Sequence, residues 1–320
     1  MHPNRPLIVD IKRHSLEDGP GIRSVVFFKG CPMRCIFCQN PETQDTEAEI
    51  VFSERRCIQC GGCAKVCPEG AIDYKLPQRI HRDKCTSCGK CADLCPEGAL
   101  RLIGRYYPVD EITEILLRDL PFYRHSKGGV TLSGGEPALY PDYIEALLKS
   151  LKAYNIHIAI ETSGYFDYDK FKQKILPYID LIYYDIKIAD PEAHKTYTGK
   201  SNQRIIDNLC YLLTEDKVKV HPRIPLIPNI TATRENLSAI VNLLHETGAE
   251  NVSLLPYNPM GIEMNDKLGR PRPSLPEGFM KPDEEEEVYG MFRGMIEEKG
   301  GKNRSCTFNQ SVSEISLTNP

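Results

Sequence analysis

Eleven of the thirteen cysteines fall between residues 31 and 95, in three groups. Cys31, Cys35 and Cys38 form a CxxxCxxC triplet. Cys57, Cys60, Cys63 and Cys67, followed by Pro68, form a CxxCxxCxxxCP run, and Cys85, Cys88, Cys91 and Cys95, followed by Pro96, repeat it. A stretch with so many thiols and so few large apolar residues cannot close on a hydrophobic core, so disulfides or metal must hold it. The spacing is that of metal ligation. The N-terminal MHPNRPLIVDIKRHS lacks the apolar stretch of a secretion signal, which points to a reducing, cytoplasmic setting.

The doubled run has the bacterial ferredoxin spacing, in which each fourth cysteine serves the other repeat's cluster. Cys57, Cys60, Cys63 and Cys95 are therefore expected to hold one [4Fe–4S] cluster, and Cys85, Cys88, Cys91 and Cys67 a second. The alternative is structural zinc, which also takes four thiolates. The triplet offers only three thiolates, so a four-iron cluster there keeps one iron without a protein ligand. Zinc with a distant fourth ligand is again the alternative.

The rest of the chain is long enough for one large core: 320 residues, 41% hydrophobic. A net charge of −4 gives no reason to expect nucleic acid or an anionic membrane as partner, and no apolar run approaches transmembrane length. From about residue 106, apolar strand-like runs alternate with longer amphipathic stretches. Strands are expected at 23–30, 129–135, 156–164, 181–188, 219–227 and 251–257. Helices are expected near 109–120, 141–153, 167–176, 203–214 and 233–247, with Asp110 and Thr233 as capping candidates. This rhythm specifies βα units on a parallel sheet. Six strands rather than eight give an incomplete barrel, open on one side. Residues 43–105 interrupt it as a cluster-held insert, so 1–42 and 106–320 form the barrel. The stretch 263–285 reads as a loop, and a last helix is expected at about 283–299.

Three further motifs sit among these elements. Asp18-Gly19-Pro20-Gly21-Ile22-Arg23 precedes the first strand, Cys38-Gln39-Asn40-Pro41-Glu42 follows it, and Ser133-Gly134-Gly135-Glu136-Pro137 ends the second. Two glycines allow close backbone approach, and a carboxylate can receive an ammonium. Phe37 offers an aromatic face to an adenine, or else packs in the core.

Together these residues resemble the radical S-adenosylmethionine (SAM) superfamily, and more closely its glycyl radical enzyme activases, many of which carry a ferredoxin-like insert. The resemblance implies an α/β incomplete (βα)6 barrel and an oxidoreductase. Its SAM occupies the open iron of the Cys31, Cys35 and Cys38 cluster. Reductive cleavage then gives methionine and a 5′-deoxyadenosyl radical that abstracts a glycine Cα hydrogen from a partner enzyme. It also implies three [4Fe–4S] clusters, SAM and, as a further candidate, a monovalent cation. Flavodoxin or ferredoxin is the implied electron donor, and the chain itself a monomer.

By the same resemblance Asp18 contacts the partner's glycine loop, where the residues alone allow a simple turn. Gly134, Gly135 and Glu136 meet the SAM amino group, and Glu161 and Thr162 lie near its ribose and the cation. Asp185 and Lys187 match a D-x-K at a strand end, where alternation puts both on one face; a buried ion pair is the alternative. Arg223 is placed near the SAM carboxylate, and a surface position is its alternative. Asn258 stands where the pyruvate formate-lyase activase pattern has His, as does Gln39, which argues against that activase. A radical SAM enzyme of small molecules or nucleobases, and a ferredoxin-type electron carrier, are the competing functions. Cys210 is expected as a small buried residue of a helix. Neither it nor Cys306 is assigned to a cluster, and Tyr183 and Tyr184 are expected to serve strand packing.

Overall fold

The computed structural model describes residues 5–215, 218–249 and 251–300, with short strands at 308–309 and 314–316; Cys306 lies outside them. The chain opens with Leu7–Ser15 (β1), which turns back antiparallel into Arg23–Phe28 (β2). Glu49–Phe52 (β3) leads to Gly62–Val66 (α1) and Lys90–Asp93 (α2), and Leu100–Ile103 (β4) returns antiparallel to β3. Arg105–Tyr106 (β5) rejoins β1. Then come Val109–Leu117 (α3), Leu120–Ser126 (α4), Gly129–Gly134 (β6), Pro141–Lys152 (α5), His157–Thr162 (β7) and Tyr168–Lys174 (α6). Leu181–Asp185 (β8), Pro191–Thr198 (α7), Gln203–Leu213 (α8), Lys219–Pro225 (β9) and Arg234–Thr247 (α9) follow. Asn251–Leu255 (β10), Met260–Leu268 (α10), Pro282–Gly300 (α11), Phe308–Asn309 (β11) and Glu314–Ser316 (β12) complete the order.

Among the described residues β2, β6, β7, β8, β9 and β10 pair in that order, all parallel. The sheet ends at β5 on one side and β11 on the other without closing on itself. It is the open six-stranded arrangement expected, with antiparallel strands added at both edges. Alternation sorts the strand residues. Val26, Phe28, Val130, Leu132, Ile158, Ile160, Ile182, Tyr184, Ile224 and Leu254 face the helices in one apolar core. Their neighbours Arg23, Thr131, Ser133, Glu161, Tyr183, Asp185, His221, Arg223 and Ser253 occupy the other face. That inner face carries the charged and most of the polar side chains of these strands, beside Val25, Phe27, Ala159 and Leu181.

Several expectations need correction. The helix expected at 109–120 is two, because Asp119 leaves helical backbone and Pro121 sits in the first turn of the next. Asp119 is fully buried there, accepting from Arg13, and from Ser24 at 2.7 Å. Asp110 lies inside the first turn of α3 after Pro108, whereas Thr233 does cap α9, accepting from the Asn236 amide. The expected loop at 263–285 contains most of α10, and α7 and β1 were not foreseen. Cys210 is exposed: α8 buries Ile205, Asn208, Leu209 and Leu212, and position 210 falls outside that stripe.

The insert's sequence repeat is also a backbone repeat. Gln59 and Ser87, Gly61 and Gly89, and Gly70 and Gly98 form matched pairs, all with positive φ. The Ala71 amide donates to Cys67 Sγ, and the Ala99 amide to Cys95 Sγ, each at 3.2 Å. A small core of Ile50, Phe52, Ile80, Cys91, Ala99 and Leu100 packs between the halves.

Candidate active site

β2 ends at Phe28, and the loop carrying Cys31, Cys35 and Cys38 begins two residues later, at the C-terminal end of the parallel strands. Every side of this loop is pinned. The Gly30 amide donates to Thr43 O at 2.7 Å, and Cys31 to Gln44 O at 2.9 Å. Arg34 and Ile36 donate their amides to Thr198 O and Tyr197 O at the end of α7. A Cβ on Gly261, in the first turn of α10, would overlap the Cys38 carbonyl. Gln44 Nε2 donates to Cys35 O at 3.2 Å. Beneath the loop the buried Lys29 ammonium donates to Glu42 O and Asp45 O and pairs with Glu49 at 2.6 Å. Burial pushes the Cys31 thiol up to about 12 and raises those of Cys35 and Cys38. The Lys187 charge opposes that rise at all three.

The Gly134-Gly135 turn docks directly on this loop. Glu136 donates its amide to Gly30 O at 2.8 Å, and Gly135 to Phe28 O at 2.8 Å. A Cβ on Gly135 would overlap Gly30 O and stand 2.8 Å from Thr43 O, and Gly134 has φ +106. The Glu136 side chain turns inward and is fully buried. Its carboxylate accepts from Thr162 Oγ1 at 2.8 Å, Ser163 N at 2.9 Å, Ser163 Oγ at 2.7 Å and, at 3.3 Å, Ala138 N. Burial raises its pKa while these four donors pull it down. Glu136 and Thr162 thus meet each other, stitching the end of β6 to the end of β7, and neither lies in the ionic row described next.

That row crosses the inner face at the ends of β6 to β9. Ser133 Oγ donates to Glu161 at 2.5 Å, Arg223 Nη1 donates to Glu161 at 2.6 Å, and Arg223 Nε to Asp185 at 3.2 Å. Lys187 Nζ then pairs with Asp185 at 3.1 Å. Burial would raise the Asp185 carboxyl, but Lys187 and Arg223 hold it below the usual range. The Lys187 ammonium is raised: burial opposes its charge, and Asp185 and the Cys35 sulfur more than offset that. The Arg223 guanidinium also lies over the Tyr183 ring, 4.7 Å from its centre. Behind Tyr183, His221 stands edge-on at 5.6 Å and shares a 2.7 Å hydrogen bond with Ser253. Burial, with Lys219 and Arg223, depresses His221 to about 4.

Other expected residues fall outside this assembly. Phe37 is 6% exposed and packs in the main core with Met33. Asn258 Oδ1 accepts from the Met260 amide at the start of α10, an Asx turn. Asp18 lies beyond the opposite end of β2 from the thiols, accepting from Ser15, and pairs with Lys12 at 3.5 Å. Its loop is fixed by Arg23, fully buried, which donates to Thr131 Oγ1 at 2.7 Å, Val130 O at 2.6 Å and Pro20 O at 3.1 Å. Burial lowers Arg23 to about 10. Sequence reasoning missed Ser133, Ser163, Tyr183 and Gln44. Ser133 and Tyr183 could have been found, since strand alternation puts Tyr183 on the Asp185 face and Ser133 on the Thr131 face.

The eight thiols of the insert divide between two hollows. Cys57, Cys60, Cys63 and Cys95 line one with Phe52, Tyr74 and Leu94, and Cys67, Cys85, Cys88 and Cys91 line the other with Ile50 and Ile80. Among the described residues, no three or more His, Cys, Asp and Glu side chains converge as ligands of a single ion.

The profile of the radical SAM superfamily matches residues 25–239. The chain is 40% identical over 294 residues to the trans-4-hydroxy-L-proline dehydratase activating enzyme of Clostridioides difficile, spanning 90% of this chain and 96% of that one. It is 37% identical to the choline trimethylamine-lyase activating enzyme of Oleidesulfovibrio alaskensis, over 84% of this chain and 89% of the relative. Identity to the benzylsuccinate synthase activating enzyme of Thauera aromatica is 40%, over 83% and 82%.

Proposed function

The chain belongs to the radical SAM superfamily, among the activating enzymes of glycyl radical enzymes, and from that premise we propose how its residues divide the work. Cys31, Cys35 and Cys38 would hold a [4Fe–4S] cluster whose fourth iron is left to SAM; the donor set fits, being three half-buried thiols of one pinned loop. When bound, this pair supplies one-electron cleavage of the sulfonium to methionine and a 5′-deoxyadenosyl radical, which takes a hydrogen atom from a glycine Cα of the partner enzyme.

The ionic row suits the methionyl end of SAM. Glu161, Arg223, Asp185 and Lys187 neutralise one another as a set. A ligand with one ammonium and one carboxylate can exchange into such a row without leaving a charge unpaired. The tight docking of Gly134 and Gly135 on Gly30 fixes the thiol loop against that row. Tyr183, His221 and Ser253 continue the wall of the lumen toward Arg23, which anchors the Asp18 loop. A partner's glycine loop enters at the Asp18 end and extends up the open barrel, keeping water from the radical. Glycine suits the step, since no Cβ crowds the approach. The insert's two hollows hold ferredoxin-type clusters, Cys57, Cys60, Cys63 and Cys95 in one and Cys67, Cys85, Cys88 and Cys91 in the other. Flavodoxin or ferredoxin supplies the electron. The setting is the reducing cytoplasm, and the chain acts as a monomer. A monovalent cation is assigned to the Glu161 side.

The observation that carries this reading is the thiol loop lying at the same sheet end as the Glu161–Arg223–Asp185–Lys187 row, with the Lys187 charge felt at all three sulfurs. The test is reductive SAM cleavage by the reconstituted protein. A Cys31/Cys35/Cys38→Ala triple variant should lose 5′-deoxyadenosine formation while the insert keeps its iron. A glycine-centred electron paramagnetic resonance doublet on the partner should appear with the unmodified chain only. Cleavage that survives the triple change would sink the site, and cleavage without any doublet would leave a small-molecule enzyme.

A further inference from the structure

The two hollows of the insert face different ways. Arg82 lies beside Cys85 of the Cys67/Cys85/Cys88/Cys91 hollow, donates to Ile50 O at 2.5 Å, and reaches Lys267 O of α10 at 3.3 Å. Gln78 meets Gly269 at the end of the same helix. Ile50 lines this hollow, and its neighbour Glu49 pairs with Lys29, one residue before Gly30 and the thiol loop. That hollow therefore backs onto the barrel.

The hollow of Cys57, Cys60, Cys63 and Cys95 opens outward. Each hollow has one exposed thiol, Cys60 here and Cys88 in the other, but around Cys60 stands a broad apolar rim: Ile58 is 61%, Leu94 50% and Tyr74 40% exposed, though all three line the hollow. An apolar rim of this kind, centred on a redox-competent set of thiols, marks a surface for another molecule. Its charge tells which kind. Of the charged side chains lining the hollow, Arg56 and Arg79 outnumber Glu97. Leaving aside the thiolates and the clusters they would hold, residues 53–99 carry eight Lys and Arg against six Asp and Glu, so the side chains around the hollows are on balance basic.

We propose that this rim is the docking face for an acidic one-electron carrier protein, whose reduced cofactor is brought against the exposed Cys60 side. The insert thus receives electrons on its outer hollow and passes them inward from the hollow that backs onto α10 and Glu49. With a flavodoxin as the carrier, its anionic flavin hydroquinone loses one electron to become the neutral semiquinone. The oxidised [4Fe–4S]2+ core gains that electron, with no proton moved. The inference rests on the reading that the eight cysteines hold clusters. It is tested without reference to SAM or to the glycyl radical.

The test is stopped-flow reduction of the reconstituted holoprotein, once by purified flavodoxin hydroquinone and once by dithionite, a small reductant that needs no docking. Ile58→Glu and Arg56→Glu should each slow reduction by flavodoxin about tenfold at low ionic strength and flatten its salt dependence. Dithionite should reduce both variants at the unmodified rate. Leu102→Glu, 42% exposed and in contact with the inner hollow at Gly89, should leave both rates unchanged. Unaltered flavodoxin rates in the first two variants overturn the proposal. So does an equal loss in Leu102→Glu, and so does equal slowing by dithionite, which would mean a disturbed hollow. Intact reduction with impaired activation of the glycyl radical partner would give the face to that partner instead. If the unmodified protein is reduced but never cleaves SAM, the activating function fails and the docking result stands.

Discussion

Substitution of Glu136 separates two roles for the GGEP carboxylate. In the structure that carboxylate is spent on Thr162, Ser163 and Ala138, so it should position the Gly134-Gly135 turn rather than touch SAM. Glu136→Ala strands the Ser163 and Ala138 amides, leaves two buried hydroxyls to find new partners, and opens a cavity. Stranding a buried donor costs about 1–3 kcal/mol, and breaking a buried charged network about 3–5, so a loss of about 4 kcal/mol is expected. Glu136→Gln keeps the shape. Its carbonyl oxygen can accept from both Ser163 groups, and its amide can donate to Thr162 Oγ1, leaving only the 3.3 Å contact to Ala138 opposed. A cost of about 1–2 kcal/mol follows. For a chain of this size each kcal/mol shifts Tm by roughly 2 °C, so drops of about 8 °C and about 3 °C are expected. Anaerobic thermal unfolding of the holoprotein by circular dichroism measures them, and equilibrium dialysis gives SAM affinity. Glu136→Gln should bind SAM as the unmodified chain does. A glutamine variant that is stable yet binds SAM tenfold more weakly refutes the argument, because the carboxylate would then be a ligand.

Gly135→Ala should displace the turn from the thiol loop, since its Cβ meets two backbone oxygens that cannot yield; a loss of about 3 kcal/mol is expected, with iron content falling by one cluster of three. Arg223→Lys keeps the charge but loses the fork that joins Glu161 to Asp185. SAM affinity by dialysis should fall about tenfold, roughly 1.4 kcal/mol, and an unchanged affinity counts against the row as its site. His221, held near 4 when folded against an ordinary 6.5, refuses a proton that the unfolded chain accepts, so stability is full above about 6.5 and is lost as pH falls toward 4. Between pH 7.5 and 5.5 the unmodified chain should lose about 1.4 kcal/mol more than His221→Gln, by denaturant midpoints; equal losses would mean that His221 titrates normally.

Much of this was readable beforehand, for reasons that differ by residue. The six parallel strands were legible because nearly every residue on them is buried or part-buried, so Val130, Ile158 and Ile182 sit in short, largely apolar runs. β1 was not, because its outer residues Asp10, Lys12 and Arg13 are solvated and its pattern has no clean period. α10 was hidden by Gly261, which is present for the Cys38 carbonyl and not for the helix. The grouping of the insert's thiols was legible by spacing, because the repeat folds each expected set of four around one hollow. The direction of side chains was not. Glu136 and Glu161 are both acidic residues at strand ends, and only the fold turns one inward onto Ser163 and the other across to Arg223. Asp18 is the same kind of case: its motif is plain in sequence, but its place at the far end of β2 depends on how Arg23 folds the preceding loop back.

The pairing of β3 with β4 has a consequence for how such a chain is inherited. Phe52 lies opposite Leu100, so the 47 residues between them leave and re-enter the barrel at a single cross-strand step. An antiparallel pair in that register can equally be closed by a two-residue turn. The cysteine-rich module is thus a cartridge in a hairpin socket. A lineage can acquire, exchange or discard it by editing one turn, with the strand order of the barrel and the loop that bears Cys31 left as they were.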